Sequence, residues 1–367
     1  MVFLINASNL RQGGGVQVAQ SICGQLSRFP SIRFVAVLSN SIFLPEEDLG
    51  KNVELIRYDM PKSISSTLLG RCRFLDDLIS SRKVDAVMTV FGPSRWQPRV
   101  PHLCGFARGH LLLTDSPYYK RLTLKEKLLF KVWTWSFKKS SDTFYTENEY
   151  ISRLLPGLLG QSIKVYTVTN YYNQVFDMPD RWRRDVELPP FDGVTCLSVS
   201  SYYPHKNFEI IQDVVRTLRR DHPGFKVRFV LTFTEAEMPV PADIREAFLF
   251  VGKVDVSECP NLYAQSDIMF MPSLVECFSA TYPEAMRMSV PIVTTDLPFA
   301  KGLCGDAACY YRAVDAQSAA DAIYKVATDK AYASLLVEKG KEQLNRYDNY
   351  EQRADKLVGI LEERAKA

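Results

Sequence analysis

The chain reads as short apolar runs bounded by turn residues, alternating with stretches whose apolar positions recur at helical spacing. In the first half this pattern predicts strands at 2–5, 33–38, 86–90, 102–107, 142–146 and 164–168. It predicts helices at 16–26 and 68–81, a long basic helix from about 120 to 139, and a short one between the last two strands. Residues 173–193 break the alternation with Pro179, Pro189 and Pro190, as a linker would. The pattern then restarts with a strand at 194–199, a helix at 208–220, a strand at 227–233 and a helix at 244–249. A helix end and buried strand over 263–271 lead into a loop, a short helix and a strand at 290–295. Helices at 319–328, 331–346 and about 350–364 close the chain.

Such alternation predicts parallel sheets with helices on both faces. The expected architecture is α/β with two Rossmann-like domains facing a cleft: 1–175, a linker at 176–193, and 194–345. Residues 346–367 form a last helix expected to pack back toward the first domain. Ligands of open α/β sheets bind beyond the carboxyl ends of the strands.

A length of 367 residues suits two domains better than one. No apolar run is long enough to span a bilayer, and the first residues read as a strand, not a signal peptide. The eight cysteines include no C-x-x-C pair, which points to reduced, buried thiols in a cytoplasmic protein without a zinc site. Net charge is +3, but residues 1–175 carry 22 Lys/Arg against 13 Asp/Glu, and residues 176–367 carry 23 against 29. The first half therefore suits an anionic surface or substrate.

The most informative element is Glu276-Cys277-Phe278-Ser279-Ala280-Thr281-Tyr282-Pro283-Glu284, two carboxylates with seven residues between them. Each carboxylate accepts hydroxyl hydrogen bonds, and a helix N-terminus beside them can hold phosphate. That combination suits a nucleotide-sugar. Gly13-Gly14-Gly15 follows the first strand; it reads either as a backbone cradle, with Gly14 and Gly15 touching a donor, or as a plain strand–helix turn. It is neither the dinucleotide fingerprint nor a P-loop. The second half has a matching loop, Ser198 to Asn207, in which Lys206 is either a diphosphate cation or a solvated lysine. Ser201 and His205 share that loop. His110 follows a predicted strand and either orients a sugar hydroxyl or serves packing. No D-x-D occurs and no His/Cys/Asp cluster has metal-ligand spacing, so no metal or other cofactor is expected. Residues 118–139 hold seven Lys/Arg, one acid, and Phe130, Trp133, Trp135 and Phe137. Such a segment fits an anionic membrane surface, or else packs on the sheet with a solvated basic face. No nucleic-acid-binding module is present.

In this order the pieces resemble the retaining glycosyltransferases of family 4, which have the GT-B fold. The resemblance is strongest over 194–311: Val251-Gly252, Leu262-Tyr263, the E-x7-E element, 291–295 and Gly305-Asp306-Ala307-Ala308. The glycine loop, 145–147 and 168–170 match more loosely. The resemblance implies that Glu276 binds donor-sugar hydroxyls, Glu284 the ribose, and Lys206 the diphosphate. It further implies that Phe278, Ser279, Ala280 and Thr281 offer backbone N–H groups, that Val251 and Gly252 lie near the base, and that His110 lies near the donor sugar. Three positions depart from the family: Cys277 and Ser279 stand where glycines are common, and Ser201 where an arginine is common. The second positive charge on the diphosphate is thus unassigned.

The expectation is a metal-independent retaining transferase. It would move a sugar, from a UDP-sugar ahead of GDP- or TDP-sugars, to a glycan or lipid-linked saccharide in cell-surface polysaccharide synthesis such as O-antigen or lipopolysaccharide. It would work in the cytoplasm or on the inner face of the membrane. The rival readings are a catalytically silent GT-B scaffold subunit and a nucleotide-sugar epimerase.

Overall fold

The computed structural model describes residues 1–45, 49–61 and 70–366. The chain divides into two compact units, one of residues 1–114, 122–170 and 348–367, the other of 115–121 and 171–347.

The first unit contains β1 (Val2–Ala7), α1 (Gly14–Cys23), β2 (Arg33–Leu38), β3 (Val53–Arg57), α2 (Arg73–Arg82), β4 (Ala86–Thr89), β5 (His102–Gly105), α3 (Leu124–Ser140), β6 (Thr143–Thr146), α4 (Glu149–Leu159) and β7 (Lys164–Thr167). The strands form a parallel sheet in the order β3-β2-β1-β4-β5-β6-β7. Successive strand side chains point to opposite faces, so Phe3 and Ile5 enter one core and Leu4 the other. His102 opens β5 fully buried. Its Nδ1 lies 2.6 Å from the Ser140 carbonyl, which can only accept, so the proton sits on Nδ1 and Nε2 accepts from Thr89 Oγ1 at 2.9 Å. Burial holds this imidazole neutral, pushing its pKa down to about 4.

The second unit contains β8 (Val194–Ser198), α5 (Ile210–Asp221), β9 (Val227–Leu231), β10 (Phe248–Phe250), α6 (Cys259–Ala264), β11 (Ile268–Met271), α7 (Thr281–Arg287), β12 (Ile292–Thr295), α8 (Pro298–Cys304), β13 (Ala308–Tyr311), α9 (Ala316–Thr328) and α10 (Lys330–Leu344). Its parallel sheet runs β10-β9-β8-β11-β12-β13. The final helix, α11 (Tyr350–Lys366), belongs to the first unit, where Leu357, Val358, Ile360 and Leu361 join the core of Phe3, Ile5, Ala19 and Ile22. Arg353, nearly fully buried, donates to Asn170 Oδ1 and to Ser21 Oγ at 2.6 Å. The Thr169 N–H donates to Asp348 Oδ2 at 3.0 Å, and the Asp348 N–H returns the bond to Thr169 Oγ1.

Several elements differ from those expected. β3 is a strand the hydrophobic pattern did not announce: it is an edge strand, half-exposed along most of its length, and carries Glu54. The expected helix at 244–249 is a 3-10 turn (Ala242–Ala247) followed by β10. The helix expected from 68 starts at Arg73 among the described residues; its residues 68 and 69 lie outside them. The long basic helix starts at Leu124, because Thr123 and Glu126 form a reciprocal capping box there. The residues before it, Pro117–Arg121, form a separate 3-10 turn. Among the described residues no helix is long and apolar enough to cross a membrane.

Candidate functional site

The polar groups singled out in the second half converge on loops at the carboxyl ends of β8 and β11. β8 ends at Ser198, whose hydroxyl donates to the Phe270 carbonyl of β11 at 2.6 Å and ties the two strand ends together. The β8–α5 loop then makes a 3-10 turn, Pro204–Lys206, and Asn207 ends that turn at φ 56°. Non-glycine residues seldom adopt this left-handed conformation, and asparagine does so more readily than most. The His205 carbonyl accepts from Leu274 N–H at 2.8 Å, which fixes this loop against the one after β11.

That fixing brings Lys206 Nζ to 2.5 Å from Glu276 Oε1, both side chains about nine-tenths buried. The contact is a buried ion pair in which the ammonium meets the charge on Glu276 Oε1, an oxygen that accepts no other hydrogen bond from the described residues. A carboxylate oxygen has two lone pairs, so one paired with an ammonium can still accept from a hydroxyl. Glu284 sits in the first turn of α7, fully buried, with Tyr263 Oη 3.2 Å from its Oε2. Burial pushes its pKa up to about 7, against the opposing hydrogen bond from Tyr263. α7 begins without a side-chain cap, and the Ser279 and Thr281 hydroxyls, 2.8 Å apart, bond to each other. Within α7 the Tyr282 N–H donates to the Ser279 carbonyl at 3.3 Å, Pro283 has no N–H, and the Glu284 N–H donates to the Ala280 carbonyl at 2.9 Å, so the helix start itself leaves few donors for a ligand.

Val251 spends its N–H on the Leu231 carbonyl at 3.0 Å, and Gly252 follows at φ 71°, with no heavy atom within 4 Å of where a Cβ would stand. Phe278 is half-buried and meets Tyr347 edge-on at 5.9 Å. Ser201 is exposed, and His205 is half-buried and stacked on Tyr203 at 5.6 Å. Burial holds the His205 imidazole below its ordinary pKa, with Glu276 opposing.

The remaining candidates belong to the first unit. Gly13, at φ 74°, caps α1 with no side-chain bond, and a Cβ on Gly14 would meet nothing within 4 Å. His110 lies in a 3-10 turn after β5 and stacks on Phe130 at 5.4 Å. Two groups of residues make contacts that sequence reasoning did not assign. One is Tyr263, which the resemblance includes without a role and which is the hydroxyl partner of Glu284. The other is the segment 115–121, which packs in the second unit through Ser116, Tyr118 and Arg121. Among the described residues no group of three or more His, Cys, Asp or Glu is placed to hold a metal ion.

The loop from β8, the Lys206–Glu276 pair and Glu284 all fall inside one stretch that has recognisable relatives. Residues 193–329 match the family of glycosyl transferases group 1. The O-antigen chain mannosyltransferase RfbU of Salmonella typhimurium is 23% identical over 164 residues, a match spanning 43% of this chain and 42% of that one. The chain thus aligns with less than half the length of this relative. Sucrose-phosphate synthase from Thermosynechococcus elongatus superposes with a TM-score of 0.72 at 14% identity, covering 99% of this chain and 98% of that one. Anabaena HepE, solved in complex with UDP and glucose, gives 0.65 at 12% identity, covering 98% and 99%. This likeness shows the fold: two parallel-sheet α/β domains of the GT-B class.

Proposed function

We propose that the chain is a retaining glycosyltransferase that moves a sugar from a nucleotide-sugar donor to a glycan or lipid-linked saccharide. The observation that carries this reading is the buried Lys206–Glu276 pair, with Glu284 buried in the helix that follows. The Glu276 carboxylate accepts from a sugar hydroxyl. In the second unit, Glu284 receives the ribose hydroxyls, which favour its ionised form despite burial. Lys206 and the backbone N–H groups of Phe278, Ser279, Ala280 and Thr281 stabilise charge that grows on the diphosphate as the C1–O bond breaks. No metal is invoked for that charge. The leaving diphosphate oxygen takes the acceptor hydroxyl proton, and the acceptor oxygen bonds C1 from the same face.

A UDP-sugar is the favoured donor: HepE was solved with UDP and glucose, and the group 1 match covers this unit. The match to an O-antigen chain mannosyltransferase supports a cell-surface polysaccharide as the product. Exposed residues of α3 support work at a membrane surface. The helix exposes Leu124, Leu128, Leu129 and Val132 beside Lys125 and Lys131, a combination that suits anionic lipid.

The test is nucleotide release and product formation with UDP-, GDP- and TDP-sugars and lipid-linked saccharide acceptors. Glu276→Gln should lower turnover about 100-fold or more, and NMR of the product should show the donor's anomeric configuration. An inverted product would end the retaining mechanism. Release of no nucleotide with any donor would favour a silent scaffold, and sugar interconversion without acceptor an epimerase.

A further inference from the structure

We propose that Arg121 is the second cation of the diphosphate subsite, taking the place left uncharged at Ser201. The proposal rests on the nucleotide-sugar reading above and names a residue that reading leaves unassigned. Lys206 is already paired with Glu276, so the buried pair contributes no net positive charge. A nucleoside diphosphate carries at least two negative charges, and a site that receives it needs a further cation.

The segment 115–121 brings one to the place. Although it lies in sequence between β5 and α3 of the first unit, it is part of the second. Three contacts hold it there. Ser116 Oγ donates to the Leu274 carbonyl at 2.6 Å, two residues before Glu276. Tyr118 meets the His205 ring edge-on at 5.9 Å, one residue before Lys206. Arg121 Nη1 donates to Asn207 Oδ1 at 3.1 Å, one residue after Lys206. The segment therefore straddles both loops of the site and ends in an exposed arginine bonded to the residue that follows Lys206.

Asn207 gives an independent pointer to an anion. It is only 4% exposed, and its Nδ2 is buried with no hydrogen-bond partner among the described residues. An arginine can only donate, so the amide oxygen must face Arg121 and the amide nitrogen cannot be exchanged into that position. The orphaned N–H therefore needs an acceptor that the described residues do not supply. A phosphate oxygen shared by Asn207 Nδ2 and the remaining guanidinium donors satisfies it.

The experiment measures binding of UDP, GDP and TDP, and of uridine, guanosine and thymidine, by calorimetry. Wild-type protein is compared with Arg121→Gln, Arg121→Lys and Lys120→Gln. Gln at 121 keeps a donor for Asn207 and removes the charge. Arg121→Gln should weaken the preferred diphosphate about ten- to a hundredfold while leaving the matching nucleoside and the melting temperature unchanged. Lys at 121 should restore part of the loss, and Lys120→Gln should bind as wild type. Equal diphosphate affinity in Arg121→Gln, an equal loss of nucleoside affinity, or the same loss in Lys120→Gln would overturn the assignment. If wild-type protein binds none of the diphosphates, the donor reading itself falls, and this assignment with it.

Discussion

Each unit is completed by a segment from elsewhere in the chain, and the two segments are held in opposite ways. The first unit takes 348–367, whose α11 inserts Leu357, Val358, Ile360 and Leu361 into the core. The second takes 115–121, in which Ser116 alone is buried and whose named contacts are two hydrogen bonds and one ring edge. Apolar burial scales with area and stabilises the fold; a few polar contacts add little net stability but fix donors and charges in place. The difference teaches that the tail serves stability and the short segment serves the site.

The largest effect should come from the tail. Leu361→Ala should destabilise by about 2–5 kcal/mol, measured by urea unfolding followed through α11. A loss as small as that of an exposed residue would show that the tail is not part of the core.

Next come two buried carboxylates whose pKa values burial raises, one taken from each unit. Burial pushes Glu147 up to about 7, with Arg353 opposing, and pushes Glu284 to about 7 as well. Their ordinary value is 4.5, so between about 4.5 and 7 the folded chain holds protons that the unfolded chain has lost. Stability therefore falls as pH rises through that window, by on the order of 3 kcal/mol per group, and the full loss is present above 7. Glu147→Gln and Glu284→Gln should each flatten the profile. Added UDP should change the slope due to Glu284 and leave that of Glu147 as it was. An identical response of both slopes would erase the functional distinction between the units.

Ser116→Ala should cost only about 1 kcal/mol in thermal unfolding yet weaken UDP binding, because it loosens the segment that presents Arg121. A stability loss with unchanged affinity would make the segment a structural graft like the tail. The smallest effect on stability belongs to Leu128→Ser and Val132→Ser on α3, within about 0.5 kcal/mol. These changes should abolish co-sedimentation with phosphatidylglycerol vesicles, and retention of that binding would remove the membrane from the proposal.

Much of this was legible in the chain, for identifiable reasons. β2 runs over the residues that its apolar pattern marks, because it is buried from Phe34 to Leu38. The E-x7-E spacing drew attention to Glu276 and Glu284, and the structure places both in buried positions at the carboxyl end of β11. β3 and β10 were not legible, since a half-exposed edge strand and a three-residue strand carry too little pattern. The start of α3 was written in Thr123 and Glu126, a capping box that hydrophobic periodicity does not weigh. The docking of 115–121 had no local signal at all. It depends on contacts such as Ser116 with Leu274, 158 residues away.

The exchange of segments also sets the rules for recombining such chains. A second unit transplanted as residues 171–347 alone would leave behind the arginine that faces Asn207, and a first unit cut at 170 would lose the helix that closes its core. Chimeras joined at one boundary in the middle of the sequence would separate both segments from the units they complete. A clean exchange has to splice at four places, carrying the short segment with the second unit and the tail with the first.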